Sequence, residues 1–167
     1  YLFDQNANVT DIIDHTAGQT YTRSMVYDDL DRLTSATNLG IWGGTATMEY
    51  DGLDNIRRNA TPALDFTLQY NASQRLTQLA LAATPTSPLI TYGYDDSGRV
   101  TSRFVPGASQ SFTVDRAGRL NRIAVGATTV AAYRYDGHGR RTRITKGTDN
   151  TLQIYTQAGQ LIYQVGS

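Results

Sequence analysis

The chain of 167 residues contains no cysteine, which excludes disulfide bonds and cysteine-ligated metal centres. It also has no run of 18 apolar residues, which excludes a transmembrane helix. Glutamate and lysine are nearly absent, because Glu49 and Lys146 stand beside 14 aspartates and 14 arginines. Surface helices usually carry Glu and Lys, whereas Asp favours turns, so this shortage argues against a helical protein.

The abundant residues are 23 threonines, 15 glycines and 11 tyrosines, a composition typical of strands separated by turns. The formal net charge is zero, but the charges are unevenly distributed. Residues 1–83 carry 5 basic and 10 acidic groups (5 − 10 = −5), and residues 84–167 carry 10 basic and 5 acidic groups (10 − 5 = +5). One end of the chain is therefore acidic and the other basic.

A sequence motif recurs along the whole chain. Its clearest copy is Tyr92-Gly93-Tyr94-Asp95-Asp96-Ser97-Gly98-Arg99-Val100-Thr101, and it returns as Phe112 to Leu120 and as Tyr133 to Arg140. Including weaker copies, the aspartate column falls at positions 4, 28, 51, 71, 95, 115, 136 and 156, which gives spacings of 20 to 24 residues. Eight repeats of about one hairpin each therefore cover the chain.

Each column of the motif has a physical role in a hairpin. Aromatic residues at i and i+2 lie on one face of a strand, where rings pack against neighbouring strands. The Asp carboxylate suits the start of a type I turn, and Gly takes the positive φ that follows. The Arg begins the return strand, from which it can reach the Asp or lie over a Tyr ring. The motif residues are Tyr27, Asp28, Arg32, Tyr50, Asp51, Tyr70, Arg75, Tyr92, Tyr94, Asp95, Gly98, Arg99, Asp115, Gly118, Arg119, Tyr133, Tyr135, Asp136, Gly139, Arg140, Tyr155 and Gly159.

The first four turns depart from the motif, because Ala7, Asp31, Asp54 and Gln74 stand where glycine stands later. Since Ala and Gln tolerate positive φ poorly, we expect the first and fourth turns to be looser. Thr-, Gly- and Pro-rich stretches at 38–47, 82–88 and 106–110 are expected to be loops. Residues 78–83 are the one place where a short helical turn is expected.

Eight hairpins make on the order of sixteen strands, more than an open twisted sheet usually carries without curling. The sequence therefore predicts an all-β fold, a single domain over 1–167 in which an antiparallel meander of about eight β-hairpins forms a curved or spiralling sheet. Unpaired edges at both ends are templates for strand addition, so end-to-end self-association is expected. A contact between the acidic and basic ends should weaken as salt rises.

The iterated Tyr-x-Tyr-Asp-x-x-Gly-Arg-Val-Thr motif resembles the YD or RHS repeat, and the resemblance covers nearly the whole chain. It implies a β-ribbon that spirals into a hollow shell. In bacterial RHS proteins and the B and C components of Tc toxins such a shell encloses a C-terminal toxin domain, and in teneurins related repeats support adhesion. The implied partners are adjacent YD repeats and an enclosed toxin, and the implied location is secreted or at the bacterial cell surface. The family's Asp-Pro-x-Gly-Leu self-cleavage motif is absent here, so that activity does not carry over.

Catalytic alternatives have weak sequence support. His138, near Arg140, Arg141 and Arg143, would suit a metal-free nuclease, but sister repeats place Ser97 and Ala117 in the same turn position. The pair Asp14-His15 lacks a nucleophile that the sequence can nominate. Aspartates at 28–31 and 51–54 suggest calcium, yet position 39 is Leu39 where an EF-hand needs Glu. We therefore expect a non-catalytic structural module without cofactor or metal.

Two binding alternatives remain open. The tyrosines and Trp42, the only indole, would suit stacking against glycans, or the loops a surface receptor, although tyrosine at i and i+2 is also what a sheet requires for packing. The basic run 134–146 would suit nucleic acid, but Asp136 and Asp149 lie in or beside it. We favour a solvated face over a nucleic-acid site.

Overall fold

The computed structural model describes residues 1–16, 18 and 21–166, and the chain divides into two compact units, Tyr1–Leu89 and Ile90–Ser167. In its described part the first unit contains β1 (Leu2–Phe3), β2 (Val9–Ile12), β3 (Arg23–Tyr27), β4 (Leu33–Asn38), α1 (Leu39–Trp42), β5 (Gly44–Tyr50), β6 (Ile56–Ala60), β7 (Asp65–Tyr70) and β8 (Leu76–Leu81). The second unit contains β9 (Pro88–Tyr94), which starts two residues before the boundary, β10 (Val100–Val105), β11 (Ala108–Val114), β12 (Leu120–Val125), β13 (Thr128–Tyr135), β14 (Arg141–Lys146), β15 (Asp149–Tyr155) and β16 (Leu161–Gly166). The expectation of one domain over 1–167 stays a prediction.

Within each unit every strand pairs antiparallel with the next strand in the chain. The predicted all-β antiparallel meander is therefore confirmed. The longest helix in the described ranges, α1, has four residues. None of the described helices has the length and apolar character needed to cross a lipid bilayer.

The eight turns share one backbone geometry. In the turn that begins at Asp28, the Asp28 N–H donates to the Arg32 carbonyl and the Asp31 N–H donates to the Asp28 carbonyl, both at 3.0 Å. The same pair of bonds closes the turns that begin at positions 4, 51, 71, 95, 115, 136 and 156. All eight hairpins shift their register by one residue beside the turn, as a bulged hairpin requires, and the bulge positions follow the turns at 4, 28, 51, 71, 95, 115, 136 and 156.

The fourth residue of every turn has positive φ, whatever its side chain. Ala7, Asp31, Asp54 and Gln74 have φ between 59° and 66°, and Gly98, Gly118, Gly139 and Gly159 have φ between 78° and 90°. The first and fourth turns keep the same hydrogen bonds as the others, so the expectation that they are looser is wrong. Bulge geometry imposes the left-handed conformation there even on residues that disfavour it.

Each unit carries its large apolar side chains on one face. Leu68 lies opposite Leu79, Phe112 opposite Ile123, and Tyr133 opposite Ile144. We call this the aromatic face, because the motif tyrosines share it through the alternation along each strand. The other face, here called the polar face, carries such pairs as Glu49 with Arg58 and Arg134 with Arg143.

Few side chains are fully buried in either unit. In the described part of the chain these are Ala36, Ala80, Ala124 and Ala131, together with the polar Asn38. The larger apolar residues of the strands are mostly half-buried. A side chain in such a unit packs chiefly against its neighbours in the same sheet, so contacts between adjacent hairpins carry the stability.

Three local predictions are wrong at least in part, and one of them is the loop expected at 106–110, because residues 108–110 belong to β11. Residues 78–83 form no helical turn but belong largely to β8, because Leu79 and Leu81 face Leu68 and Phe66 across the ladder. The segment 38–47 is not a loop, since it contains α1 and the first residues of β5. Helix α1 begins where the Asn38 side chain accepts the Ile41 N–H and ends at Gly43, whose φ is 74°.

The positive-φ glycines offer a test of the turn geometry. A Cβ at Gly118, where φ is 78°, would lie 2.7 Å from Arg99 Nη1, whereas a Cβ at Gly137 meets no atom within 4 Å and needs no positive φ. We expect Gly118→Ala to lower the free energy of unfolding by at least about 1–2 kcal/mol. The matched Gly137→Ala should change it by less than about 0.5 kcal/mol. Denaturant unfolding of both variants would contradict the account if the two losses were equal.

Candidate functional site

In four of the turns the aspartate at the head binds both the backbone and the arginine four residues later. Asp28 Oδ1 accepts the N–H groups of Leu30 and Arg32, each at 3.0 Å, and Asp28 Oδ2 accepts Arg32 Nε at 2.8 Å. The same carboxylate-to-arginine contact recurs from Asp95 to Arg99, from Asp115 to Arg119 and from Asp136 to Arg140, at 2.7–2.8 Å. The carboxylate thus joins the start of the turn to the residue just before the return strand.

Three of these arginines also bind the next hairpin, and the fourth, Arg99, lies close to Gly118 in the turn that follows it. Arg32 Nη1 donates to the Asp51 carbonyl oxygen at 3.1 Å, and the Arg32 guanidinium lies 4.7 Å from the centroid of the Tyr50 ring. Arg119 contacts Asp136 and Tyr135 at the same two distances. Arg140 donates to the Thr156 carbonyl and lies 5.7 Å from the Tyr155 ring. One guanidinium therefore connects two consecutive turns.

Four of the motif tyrosines make the reverse connection, toward the preceding hairpin. Tyr50 Oη donates to the Leu33 carbonyl at 2.8 Å, and Tyr135 Oη donates to the Leu120 carbonyl at 2.7 Å. Tyr27 and Tyr70 bind the carbonyls of Val9 and Ile56 in the same way. We call the combination of turn Asp, following Arg and next-repeat Tyr the inter-repeat clamp.

Sequence reasoning missed some members of the clamp. The position four residues after the aspartate column is Asn8 in the first repeat and Asn55 in the third, and the side-chain amides replace the guanidinium there. Asn8 Nδ2 donates to Asp31 Oδ1 at 2.7 Å, and Asn55 Nδ2 donates to Gln74 Oε1. Counting a constant four residues from each aspartate, instead of searching for arginine, would have found both.

These contacts explain why three of the four early turns do without glycine, whereas nothing in the structure explains Ala7 in the first turn. Asp31 and Gln74 accept a hydrogen bond from the preceding repeat, and Asp54 Oδ1 accepts Arg32 Nη1 at 2.7 Å. The bond to the neighbouring repeat offsets the cost of positive φ at a residue with a side chain. In the second unit a Cβ at Gly118 would lie 2.7 Å from Arg99 Nη1, so the guanidinium would have to shift to admit one. The fourth turn residue thus meets the side chain from the preceding repeat in one of two ways, either by accepting a hydrogen bond or by having no side chain.

The remaining motif residues take the places that the repeat assigns. Arg75 donates its backbone N–H to Asn71 Oδ1 at 3.1 Å, and Tyr92 lies opposite Arg103 in the β9–β10 ladder. Gly98, Gly139 and Gly159 hold the positive-φ turn positions. Arg141, which replaces the usual aliphatic residue, lies 4.7 Å over the Tyr133 ring.

Hydrogen bonds lower the pKa of the clamp carboxylates. The guanidinium and then the backbone N–H of the following arginine hold the pKa of Asp28, Asp95 and Asp115 below the ordinary value of 3.8. For Asp136 the Arg140 N–H is the larger cause of the lowered pKa. These carboxylates are therefore charged throughout the neutral and mildly acidic range.

The candidate catalytic residues form no site. His138 is exposed in its turn and donates its backbone N–H to Asp136 Oδ1, while Arg140 is bound to that carboxylate. The Asp14 carboxylate beside His15 is occupied by Thr16 and the Tyr21 N–H. No cluster of three His, Asp or Glu side chains suited to a metal occurs among the described residues.

The aromatic residues have partners inside the sheet. Besides the tyrosine hydroxyls, the Trp42 indole N–H donates to the Ala36 carbonyl at 3.2 Å. These contacts favour the packing role over a separate sugar-stacking platform.

Removing one hydroxyl tests the clamp. Tyr135→Phe leaves the half-buried Leu120 carbonyl without its 2.7 Å partner, so we expect a loss of about 1 kcal/mol in the free energy of unfolding. The matched control is Tyr133→Phe, because the Tyr133 hydroxyl makes no hydrogen bond within the described residues. Its loss should be close to zero, and equal losses in chemical denaturation would show that the hydroxyl contact contributes nothing.

Acidification should weaken the clamp. A carboxylate whose folded pKa is depressed stabilises the fold above its unfolded pKa, and that contribution is lost as the pH falls through the folded pKa. Because the pKa values of the clamp aspartates in the folded chain lie below 3.8, the free energy of unfolding should fall progressively below about pH 4. The double variant Asp115→Asn and Asp136→Asn should show a shallower fall in unfolding free energy than the parent chain.

The control for that titration is Asp96→Asn, because Asp96 is a turn aspartate whose carboxylate binds no group in the part of the chain described. It should keep the steep acid dependence. If the double variant lost unfolding free energy on acidification as steeply as the Asp96→Asn chain, the clamp carboxylates would not be the cause of the acid dependence.

Comparison with known proteins agrees with this architecture. The family model described as Teneurin YD-shell matches residues 43–165. No curated protein matches the chain. Among solved structures, a chain of the Photorhabdus luminescens Tc holotoxin pore, with a mutated TccC3, aligns over 88% of this chain at 13% identity and a TM-score of 0.66. A crystal structure of TcdB2-TccC3-Cdc42 aligns over 91% at 16% identity and a TM-score of 0.61.

A further crystal structure, of TcdB2-TccC3 without its hypervariable C-terminal region, aligns over 97% of this chain at 15% identity and a TM-score of 0.61. At these identities the solved structures show a shared fold. In all three comparisons this chain spans 9% of the matched chain. The family model covers well over half of the chain and includes the turns from position 51 to position 156. The chain belongs to the Teneurin YD-shell family.

Proposed function

We propose that the chain is a non-catalytic structural module, one stretch of the wall of a β-shell in a larger secreted protein. The inter-repeat clamp is the observation that carries this proposal. It engages the aspartates, arginines and tyrosines that recur in the motif, and it uses them to join one hairpin to the next. Because these recurring side chains bind neighbouring repeats, they support a scaffold rather than a reaction centre.

The exposure of strand β16 supports pairing with another repeat. Every described residue of β16 is exposed, including the apolar Ile162, Tyr163 and Val165. An exposed apolar edge strand is a template for another strand. Adjacent YD repeats are therefore the partners that we propose for this edge, and an isolated chain would use the same edge for end-to-end association.

We further propose that the parent protein is bacterial, is delivered outside the cell or to its surface, and uses its shell to enclose a toxin domain. The support is the likeness to chains of TcdB2-TccC3 complexes and of a Tc holotoxin pore. Adhesion through a glycan or surface receptor, as the teneurin resemblance implies, is the alternative use of the same wall.

Protease protection in the parent protein tests enclosure. The segment that follows the repeats should resist digestion in the intact parent and should be cleaved rapidly when it is expressed alone. Acidification through the lowered pKa values of the clamp carboxylates should make the segment cleavable in the parent. Equal cleavage of the free and the parent-borne segment at neutral pH would overturn the enclosure proposal while leaving the family assignment intact.

A further inference from the structure

Three arginines of the second unit lie together on the polar face. Arg122, Arg134 and Arg143 belong to the consecutive strands β12, β13 and β14. Arg134 is directly opposite Arg143, and Arg122 is opposite Ala132, two residues from Arg134 on the same side of β13. We call these residues the arginine cluster.

The arginine cluster makes no ion pair within the described residues. The one hydrogen bond that its guanidinium groups make there runs from Arg122 Nε to Thr129 Oγ1 at 2.7 Å. All three side chains are exposed. Like charges placed directly opposite each other destabilise a ladder, so the pair of Arg134 and Arg143 imposes a cost that the isolated chain leaves uncompensated.

The first unit shows what the same position looks like when it is neutralised. Glu49 and Arg134 each precede a motif tyrosine, and Arg58 and Arg143 are their cross-strand partners. Arg58 Nη1 binds Glu49 at 3.0 Å, and Arg58 Nη2 binds Asp65 at 2.7 Å. The second unit has Arg134 in place of Glu49 and Asn150 in place of Asp65, so it has lost both carboxylates.

The surface around the arginine cluster is open and lined by small polar groups. A depression of about 650 Å³ is bounded by Arg122, Arg134 and the side chains of Thr113, Asn121 and Thr142. Asp115 also borders it, but its carboxylate is already bound by Arg119. Arg143 borders a second depression of about 290 Å³, which Asn150 also lines. Hydroxyl and amide groups therefore flank guanidinium groups that have no acidic partner.

We propose that the arginine cluster binds an acidic peptide segment of a partner, one that supplies at least two carboxylates. Guanidinium groups match carboxylates as a two-pronged fork, and the equivalent Arg58 is held by two carboxylates in this same chain. Adjacent strands are about 4.8 Å apart, so the cluster spans roughly 10 Å. Side chains on one face of an extended peptide recur about every 6.8 Å, so two carboxylates fit within that span.

Binding of a synthetic peptide tests the proposal on the full chain. The probe is a fluorescent decapeptide rich in Asp and Glu, measured by anisotropy, with an Asn and Gln peptide of the same length as its neutral counterpart. The double variant Arg134→Gln and Arg143→Gln should weaken acidic-peptide binding by about tenfold or more, because it removes two charged donors. Arg116→Gln removes one exposed charge from a turn of the same unit. It should weaken acidic-peptide binding by less than about twofold, because it acts only through long-range electrostatics that salt screens.

Arg134→Glu is the sharper variant, because it rebuilds the Glu49 and Arg58 arrangement within the second unit. It should abolish peptide binding while raising the melting temperature, a combination that misfolding does not produce. A lowered melting temperature together with retained peptide binding would overturn the proposal. So would equal binding of the neutral peptide, or an equal loss in Arg116→Gln.

Two other probes identify a different occupant. A sulfated oligosaccharide and a single-stranded oligonucleotide are titrated against the same variants. Tighter binding of either one than of the acidic peptide, with the same dependence on Arg134 and Arg143, would overturn the peptide assignment.

Discussion

A guanidinium that serves two consecutive turns is the interaction on which the rest of each unit depends. Arg119 binds the carboxylate of its own turn, donates to the backbone of the next turn and covers the tyrosine beside it. Because that tyrosine donates back to the hairpin that carries the arginine, the contact closes in both directions. Arginine suits this position better than lysine, since its planar fork provides several donors at fixed angles.

The clamp matters because the units lack a conventional core. Burial is complete for a few alanines and Asn38 among the described residues, and the rings of the aromatic face are only half-buried. In a fold of this kind stability is approximately a sum of repeat terms and nearest-neighbour terms. The clamp supplies a polar nearest-neighbour term, and the packing of tyrosine against leucine or isoleucine supplies an apolar one.

The charge asymmetry has a structural meaning in the second unit. Each complete clamp contains one aspartate and one arginine, so it contributes no net charge. The first unit adds Glu49 and Asp65 around Arg58, whereas the second places Arg122, Arg134 and Arg143 without acids. The balance of −5 and +5 therefore reflects, in part, which unit neutralises its polar face within the chain.

Local interactions are what the sequence by itself determined. The strand and turn periodicity, the turn aspartate and the positive-φ position involve residues at most four apart, so their spacing in the chain is also their spacing in the structure. Only the tertiary structure decided contacts between repeats, such as Arg119 with Asp136 or Asn8 with Asp31, which lie 17 and 23 residues apart. It also decided that Asn38 is buried and donates to the Thr22 carbonyl, and that the arginine cluster converges on one face. These features depend on strand register, because a shift of one residue would move every side chain of a strand to the opposite face of the sheet.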